Sequence, residues 1–505
     1  MSTIRKQSLF SSAIVYFGFL LGFVNTYLFT REGGFTKEQY GLTMTFLSVA
    51  SIFFTVASFG TLSYITKFFP YYNAHLPRKQ NDQFTWALLF PLLGFVAVGV
   101  IGAVFKGPVV NRIFNNSPEL PRYYYWIYPF AFGYTIYAVL EGFSWFHGKS
   151  VLSNFFKEVL FRLLTMLLIV LTTLGVIKSF DRFIHIYSFL YIVIGLLLLL
   201  VLKRMDVVHF TFQVSKVSRR LKSKILALTT FTWSSTIIFN LASVIDKLII
   251  AAVLPDGMAM AGIYSLGEIL ASLIQAPQRA IVSAAVSHLS EGWRAKDLGR
   301  IGRIYQRSSI NQLIFSVAMF CLIWLNFRDA LLTFHIQKDF NYAFLVFFFL
   351  GITRVLDMGT GLSSQIIATS TSWRFEFTSG LILLALSLPL NYVLTRHLGI
   401  YGPAVSGLIA YAIFNTVRFI FLWRRYGMQP FTINTVYTLL LAAACYLMAY
   451  FAGRGETGFW WLVLRTALFS TAFGAGVLAL KLSPDILPVW ETVKKRLGIG
   501  NRDLQ

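Results

Sequence analysis

The chain has 505 residues, of which 56% are hydrophobic, 17% aromatic and only 13% charged, with a mean hydropathy of +0.65. That much apolar surface excludes a water-soluble fold and indicates an all-α polytopic membrane protein. The formal net charge of +23 would suit nucleic acid, but its placement along the chain follows membrane topology instead, so no nucleic-acid partner is expected.

About fourteen stretches approach or exceed the ~18 apolar residues of a spanning helix. They lie near 9–29, 41–64, 84–105, 124–146, 151–177, 183–202, 227–254, 259–286, 308–327, 341–367, 375–395, 400–423, 432–452 and 459–480. The first, Ser8 to Thr30, is too long for a signal peptide and lacks an Ala-x-Ala exit, so it counts as a span. With the N-terminus in the cytoplasm, roughly 29 Lys/Arg fall in cytoplasmic segments, roughly 11 outside and about 4 within spans. The largest cytoplasmic clusters are Lys216, Arg219, Arg220, Lys222, Lys224 and Arg294, Lys296, Arg300, Arg303, Arg307. This asymmetry predicts that both termini are cytoplasmic, and it suits anionic lipid headgroups as a secondary effect.

Shifting the sequence by about 224 residues lays the first six spans on the next six, as in transporters built from parallel repeats. Tyr40-x-Leu42 then meets Tyr264-x-Leu266. The predicted organisation is an N-terminal six-helix lobe (1–205), a basic cytoplasmic linker (206–224), a second six-helix lobe (225–425), a helical hairpin (426–480) and a cytoplasmic tail (481–505).

The middle of the chain concentrates the polar chemistry. Residues 225 to 289 read as two spans joined by the turn Leu254-Pro255-Asp256-Gly257-Met258. The seventh span carries Thr232, Thr236, Asn240, Ser243 and Lys247 on one helical face, with Asp246 beside Lys247. The eighth carries Glu268, Ser272, Gln275, Arg279 and Ser283, with Pro277 expected to open the backbone. Span 2 has a hydroxyl face, Ser48, Ser51, Thr55 and Ser58, and span 10 has Arg354, Asp357 and Gly361. Small and hydroxyl residues also line ordinary helix contacts, which is an even reading for span 2. Charges within hydrocarbon cost a few kcal/mol each, so in spans 7 and 8 they indicate a hydrated cavity. Glu158 and Arg162, four apart in span 5, are expected to pair with each other, as are Arg354 and Asp357. A Lys247–Glu268 contact is the bland account of those two charges.

The two cysteines, Cys321 and Cys445, fall within spans, which argues against a structural disulfide or a cysteine metal site. The seven histidines are scattered without ligand spacing, so no metal is expected. No phosphate loop, nucleophile elbow or long external catalytic loop is present in the sequence, which argues against an enzyme.

Three local motifs, in order, resemble the polysaccharide transporter branch of the multidrug/oligosaccharidyl-lipid/polysaccharide exporter superfamily, which includes the O-antigen (Wzx-type) flippases. They are Lys37-Glu38-Gln39-Tyr40-Gly41 with Thr66-Lys67-Phe68-Phe69-Pro70-Tyr71-Tyr72; Ile245-Asp246-Lys247-Leu248-Ile249-Ile250 with Ala261-Gly262-Ile263-Tyr264-Ser265; and His397-Leu398-Gly399-Ile400-Tyr401-Gly402-Pro403-Ala404. The resemblance implies two lobes rocking about a cavity in the bacterial cytoplasmic (inner) membrane. Their cargo would be a polyprenyl-pyrophosphate-linked oligosaccharide, flipped for surface polysaccharide or lipopolysaccharide synthesis. Membrane lipids and polysaccharide polymerase machinery would be its partners. Lys247, Arg279, Arg354, Asn240 and Gln275 are then the expected substrate contacts. Asp246, Glu268 and Asp357 are the expected coupling groups. No cofactor is implied beyond proton or sodium coupling. Span acids are about as numerous as span bases, so the anionic cargo rests on the resemblance more than on charge. The alternatives are an ion-coupled multidrug exporter, against which the absence of an acid in residues 9–30 counts, a peptidoglycan-precursor flippase, and a membrane-embedded glycan ligase or polymerase.

Overall fold

The computed structural model describes residues 3–110 and 114–485; the side chains of residues 3–13, 279, 280, 283, 284, 287 and 373 lie outside that description. Most of the expected tail at 481–505 also falls outside it. Among the described residues the chain is helical throughout, with no β-strand. It is an all-helical polytopic membrane protein. Ten segments are long and apolar enough to cross a membrane by length and composition, and one of these, Arg374–Tyr426, contains two successive helices.

The main helices are α1 (Thr3–Thr30), α2 (Lys37–Ala57), α3 (Thr61–His75), α4 (Gln83–Val104) and α5 (Ile127–Phe146). α6 is composite: Ser150–Asn154, a π-helical stretch at Phe155–Leu160, then Phe161–Thr173. There follow α7 (Phe180–Arg204), α8 (Lys216–Val253), α9 (Gly257–Ile274), α10 (Gln278–Arg294), α11 (Leu298–Thr333) and α12 (Ala343–Gly359). The last are α13 (Ser363–Thr369), α14 (Trp373–Leu398), α15 (Gly402–Tyr426), α16 (Ile433–Ala452) and α17 (Phe459–Ala479). Side-chain caps set several starts: Thr36 and Gln39 form a capping box on α2, and Ser179, Ser215 and Asp297 accept from the first turns of α7, α8 and α11.

Three predicted spans are not continuous helices: the break in span 8 falls where Pro277 was expected to open the backbone, while those in spans 2 and 10 correct the sequence reading. Span 2 breaks after Ala57, where Phe59 and Gly60 take positive φ of 46° and 72°. Span 8 breaks at Gln275-Ala276-Pro277, because proline has no N–H to continue the ladder. Span 10 breaks at Gly361, φ +63°. Gly60 and Pro277, each immediately before the following helix, lie 217 residues apart, seven short of the shift of about 224 expected for the repeat.

The chain forms two compact units that divide between Gly262 and Ile263. In the first, α5 packs on α7 and α2, α1 lies along α6, and α8 runs against α2 and α3. Its core is aromatic: Phe130 stacks on Tyr187 at 5.0 Å and meets Tyr191 edge-on at 5.0 Å. Two glycines of the motifs quoted above explain their spacing. A Cβ on Gly41 would lie 1.8 Å from the Met258 carbonyl oxygen, and one on Gly262 would lie 2.5 Å from that of Lys37, so only glycine lets the two helix starts touch. The packing boundary groups α8 with the first unit, whereas the repeat places it at the start of the second lobe.

In the second unit, α14 packs on α15, α11 on α12, and α12 on α15. The hairpin α16–α17 packs on α11 around a cluster that includes Cys321, Cys445, Phe469 and Phe473. Buried Asp329 fastens the hairpin: it pairs with Arg465 at 3.4 Å and accepts from the Gly458 N–H at 3.1 Å.

Candidate functional site

The break in span 8 builds the site of the second unit. Around it the backbone turns tightly, with Gln275 N–H donating to Ser272 O at 3.1 Å and Gln278 N–H to Gln275 O at 3.0 Å. This turn presents both glutamines to Asp357 on α12. Asp357 Oδ2 accepts from Gln275 Nε2 at 3.3 Å and Gln278 Nε2 at 3.4 Å, while Oδ1 accepts from Asn415 Nδ2, on α15, at 3.3 Å. Thr360, at the end of α12, donates to Asn415 Oδ1 at 3.2 Å. These contacts are longer than the 2.7–2.9 Å typical of charge-assisted bonds, so the carboxylate sits in a loose cradle of neutral amides.

Arg354 does not pair with Asp357 among the described residues, contrary to the i,i+3 expectation. It is half-buried, and its Nε is enclosed without a hydrogen-bond acceptor among them. An apolar crevice of about 250 Å³ adjoins the cradle, lined by Leu313, Leu356, Phe419, Phe431 and Leu439 and reaching Thr360 and Asn415. Further along, Glu376 pairs with buried Arg418 and accepts from Ser364 Oγ at 2.7 Å.

The first unit holds its charges differently. Glu141 on α5 receives Lys157 Nζ at 3.2 and 3.3 Å. Glu158 pairs with Arg162 at 2.7 Å, as the sequence spacing predicts. Arg162 also donates to the Gly18 carbonyl, and its own carbonyl accepts from Asn25 Nδ2 at 2.9 Å. Lys157 and Glu158 lie in the π-helical turn, a distortion that recurs at functional sites.

The remaining predicted residues divide between the units. Asn240 donates to Ser51 Oγ at 2.7 Å, tying the polar stripe of α8 to the hydroxyl face of α2. Ser48, Thr55 and Ser58 bond back to carbonyls of their own helix, which suits packing. Asp246 and Lys247 on α8 and Glu268 on α9 are half-buried. Arg279 begins the second residue of α10, but its side chain lies outside the described residues. Sequence reasoning missed Gln278, Thr360 and Asn415. Asn415, an amide alone in the apolar run of span 12, was the available signal.

The fold defines a class before any particular relative: an all-helical, multi-pass membrane protein. The chain matches a lipid II flippase MurJ structure in an inward closed conformation with a TM-score of 0.73 at 14% identity, covering 94% of this chain and 98% of that one. It also matches an outward-facing multidrug resistance MATE family transporter of the MOP superfamily (TM-score 0.53, 15% identity, 84% of this chain and 96% of that one). A Vibrio cholerae MATE transporter matches at TM-score 0.52 and 14% identity over the same shares. No family model matches the sequence, and no curated protein matches it. At these identities the likeness establishes the fold.

Proposed function

We propose that the chain is a flippase that carries a polyprenyl-pyrophosphate-linked oligosaccharide across the bacterial cytoplasmic membrane by alternating access. The observation that carries this reading is Arg354, a half-buried cation whose Nε has no acceptor among the described residues, three residues before an amide-held carboxylate whose partner Asn415 lines an apolar crevice. A guanidinium suits a phosphate oxygen, the amides of Gln275, Gln278 and Asn415 suit sugar hydroxyls, and the crevice suits a hydrocarbon tail. A polar path removes most of the desolvation cost that makes unaided crossing of such a headgroup slow. Fold likeness to a lipid II flippase across nearly the whole chain supports a lipid-linked cargo. The O-antigen branch is the finer form of the proposal, with capsule and peptidoglycan precursors as its competitors. Lys247, Arg279 and Asn240 complete the proposed headgroup contacts. Asp246, Glu268 and Asp357 are the proposed proton- or sodium-responsive groups.

The test is headgroup accessibility in proteoliposomes containing the purified protein and a fluorescent polyprenyl-pyrophosphate oligosaccharide. Faster exposure to an external quencher than in empty liposomes is expected, and Arg354→Gln should weaken cargo binding about tenfold, the worth of one charged hydrogen bond. No acceleration, with or without a proton or sodium gradient, overturns the flippase reading. It would favour the second one, an ion-coupled drug exporter, which the fold likeness to MATE transporters supports.

A further inference from the structure

One end of the first unit, the end expected to face the cytoplasm, carries a basic collar whose assembly is tertiary. The linker after α7 crosses the turn between α3 and α4: Thr211 N–H donates to Thr85 Oγ1 at 2.8 Å, and Thr211 Oγ1 donates to the Lys79 carbonyl at 2.8 Å. Asp82, fully buried in that turn, then grips the start of α8. Its Oδ2 accepts from Ser215 N–H at 2.9 Å, Ser218 Oγ at 2.7 Å and Trp86 Nε1 at 3.1 Å. Ser218 Oγ also meets the Tyr72 hydroxyl at 2.6 Å, so the anchor reaches into α3.

Outside this fastening the surface is cationic. Lys216, Arg219, Arg220, Lys222 and Lys224 are all exposed, as is Lys79 beneath the linker. At ~100° per residue the five on α8 spread over about 200° of its circumference, a continuous basic half-cylinder. The linker carboxylate Asp206 is already engaged, by Arg78 at 3.5 Å and His209 at 3.2 Å, while Asp82 is sealed inside. Flanking the bases, Phe210 and Phe212 are 47% and 71% exposed. Exposed aromatic rings beside a basic helical face match the headgroup zone of a bilayer, where rings enter the acyl boundary and bases meet phosphates.

We propose that this collar binds the phosphates of anionic phospholipids at the cytoplasmic leaflet, with Asp82 holding the start of α8 in place for it. The proposal is independent of the cargo. Native mass spectrometry of the full-length protein in maltoside micelles, titrated separately with phosphatidylglycerol, phosphatidylcholine and inorganic phosphate, tests it. Phosphatidylglycerol should bind about tenfold or more tightly than phosphatidylcholine, and the triple variant Arg219→Gln, Arg220→Gln, Lys222→Gln should lose that preference. The preference should survive in the control variant Arg294→Gln, Lys296→Gln, Arg303→Gln, which removes equal charge from exposed positions of the second unit. Equal loss in both variants, or no preference in the native protein, overturns the site. Displacement of phosphatidylglycerol by millimolar inorganic phosphate would identify a free-phosphate site and overturn the lipid assignment. Every substituted base is exposed, so gel filtration should show the folded protein in each case. Asp82→Asn, compared by hydrogen exchange over residues 210–220, reports the anchor: faster exchange together with weakened lipid preference is expected, and faster exchange with full preference removes Asp82 from the proposal.

Discussion

Glu141 and Asp357 are each the fifteenth residue of an apolar helix, α5 and α12, and these helices correspond in the expected repeat. Glu141 is held by a full opposite charge, the Lys157 ammonium at 3.2 Å, with the carboxylate side chain 11% exposed. Asp357 is held by three neutral amides at 3.3–3.4 Å. An enclosed ion pair resists any change in either partner's charge, because removing one charge strands the other. An amide cradle tolerates a change, since amide side chains donate through nitrogen and accept through oxygen. The first unit therefore uses its carboxylate as a fastening, and the second holds the one proposed above to respond to a proton or sodium ion.

The largest expected effect is on stability. Lys157→Ala strands Glu141 and should cost about 2 kcal/mol, below the ~3–5 kcal/mol of a fully buried pair because the lysine side chain is 36% exposed. Asp357→Asn should cost less than about 1 kcal/mol, since an amide can stay within the cradle. Denaturant unfolding in micelles compares them, and equal losses would erase the distinction. The transport ranking should be reversed: Asp357→Asn is expected to slow flipping about tenfold, while the double variant Glu141→Gln, Lys157→Gln stays within about twofold of the native rate. A double variant as slow as Asp357→Asn would assign both carboxylates the same role.

Gln278→Ala sharpens the picture at smaller magnitude. A single long neutral hydrogen bond is worth about 0.5–1 kcal/mol, so stability should fall by that amount, with a change in the pH or sodium dependence of flipping as the diagnostic readout. The smallest effect lies outside the spans. Arg307 donates to Asp485 and holds its carboxyl below the usual range, with Asn311 Nδ2 adding a bond at 2.7 Å. A depressed folded pKa stabilises above the unfolded value near 3.9, and that stabilisation is lost as pH falls through the lower folded value. Asp485→Asn should therefore lower stability by under about 1 kcal/mol at pH 7, with the difference vanishing in acid. A difference that grows in acid would refute the pairing.

Much of the helix layout was legible in the sequence, because hydrocarbon demands long apolar runs whose backbone groups bond internally. The α8–α9 turn at 254–258 lies where its Pro-Asp-Gly run predicts, and Glu158–Arg162 pairs at the helical spacing. The break at Pro277 followed from a missing N–H, whereas those at Phe59-Gly60 and Gly361 depend on positive φ angles that hydropathy does not report.

Partner choice across the fold was decided elsewhere. Asp357 has Arg354 three residues away in sequence yet takes Asn415 and two glutamines beside a helix break. Glu376 takes Arg418, 42 residues on, and Asp82 takes the start of α8 more than 130 residues later. The sequence by itself determined the solvent this protein lives in and its run of helices, since hydropathy and helical spacing are local properties. Only the tertiary structure decided which charges meet, because a buried polar group takes whichever partner packing brings within about 3 Å, at any distance along the chain.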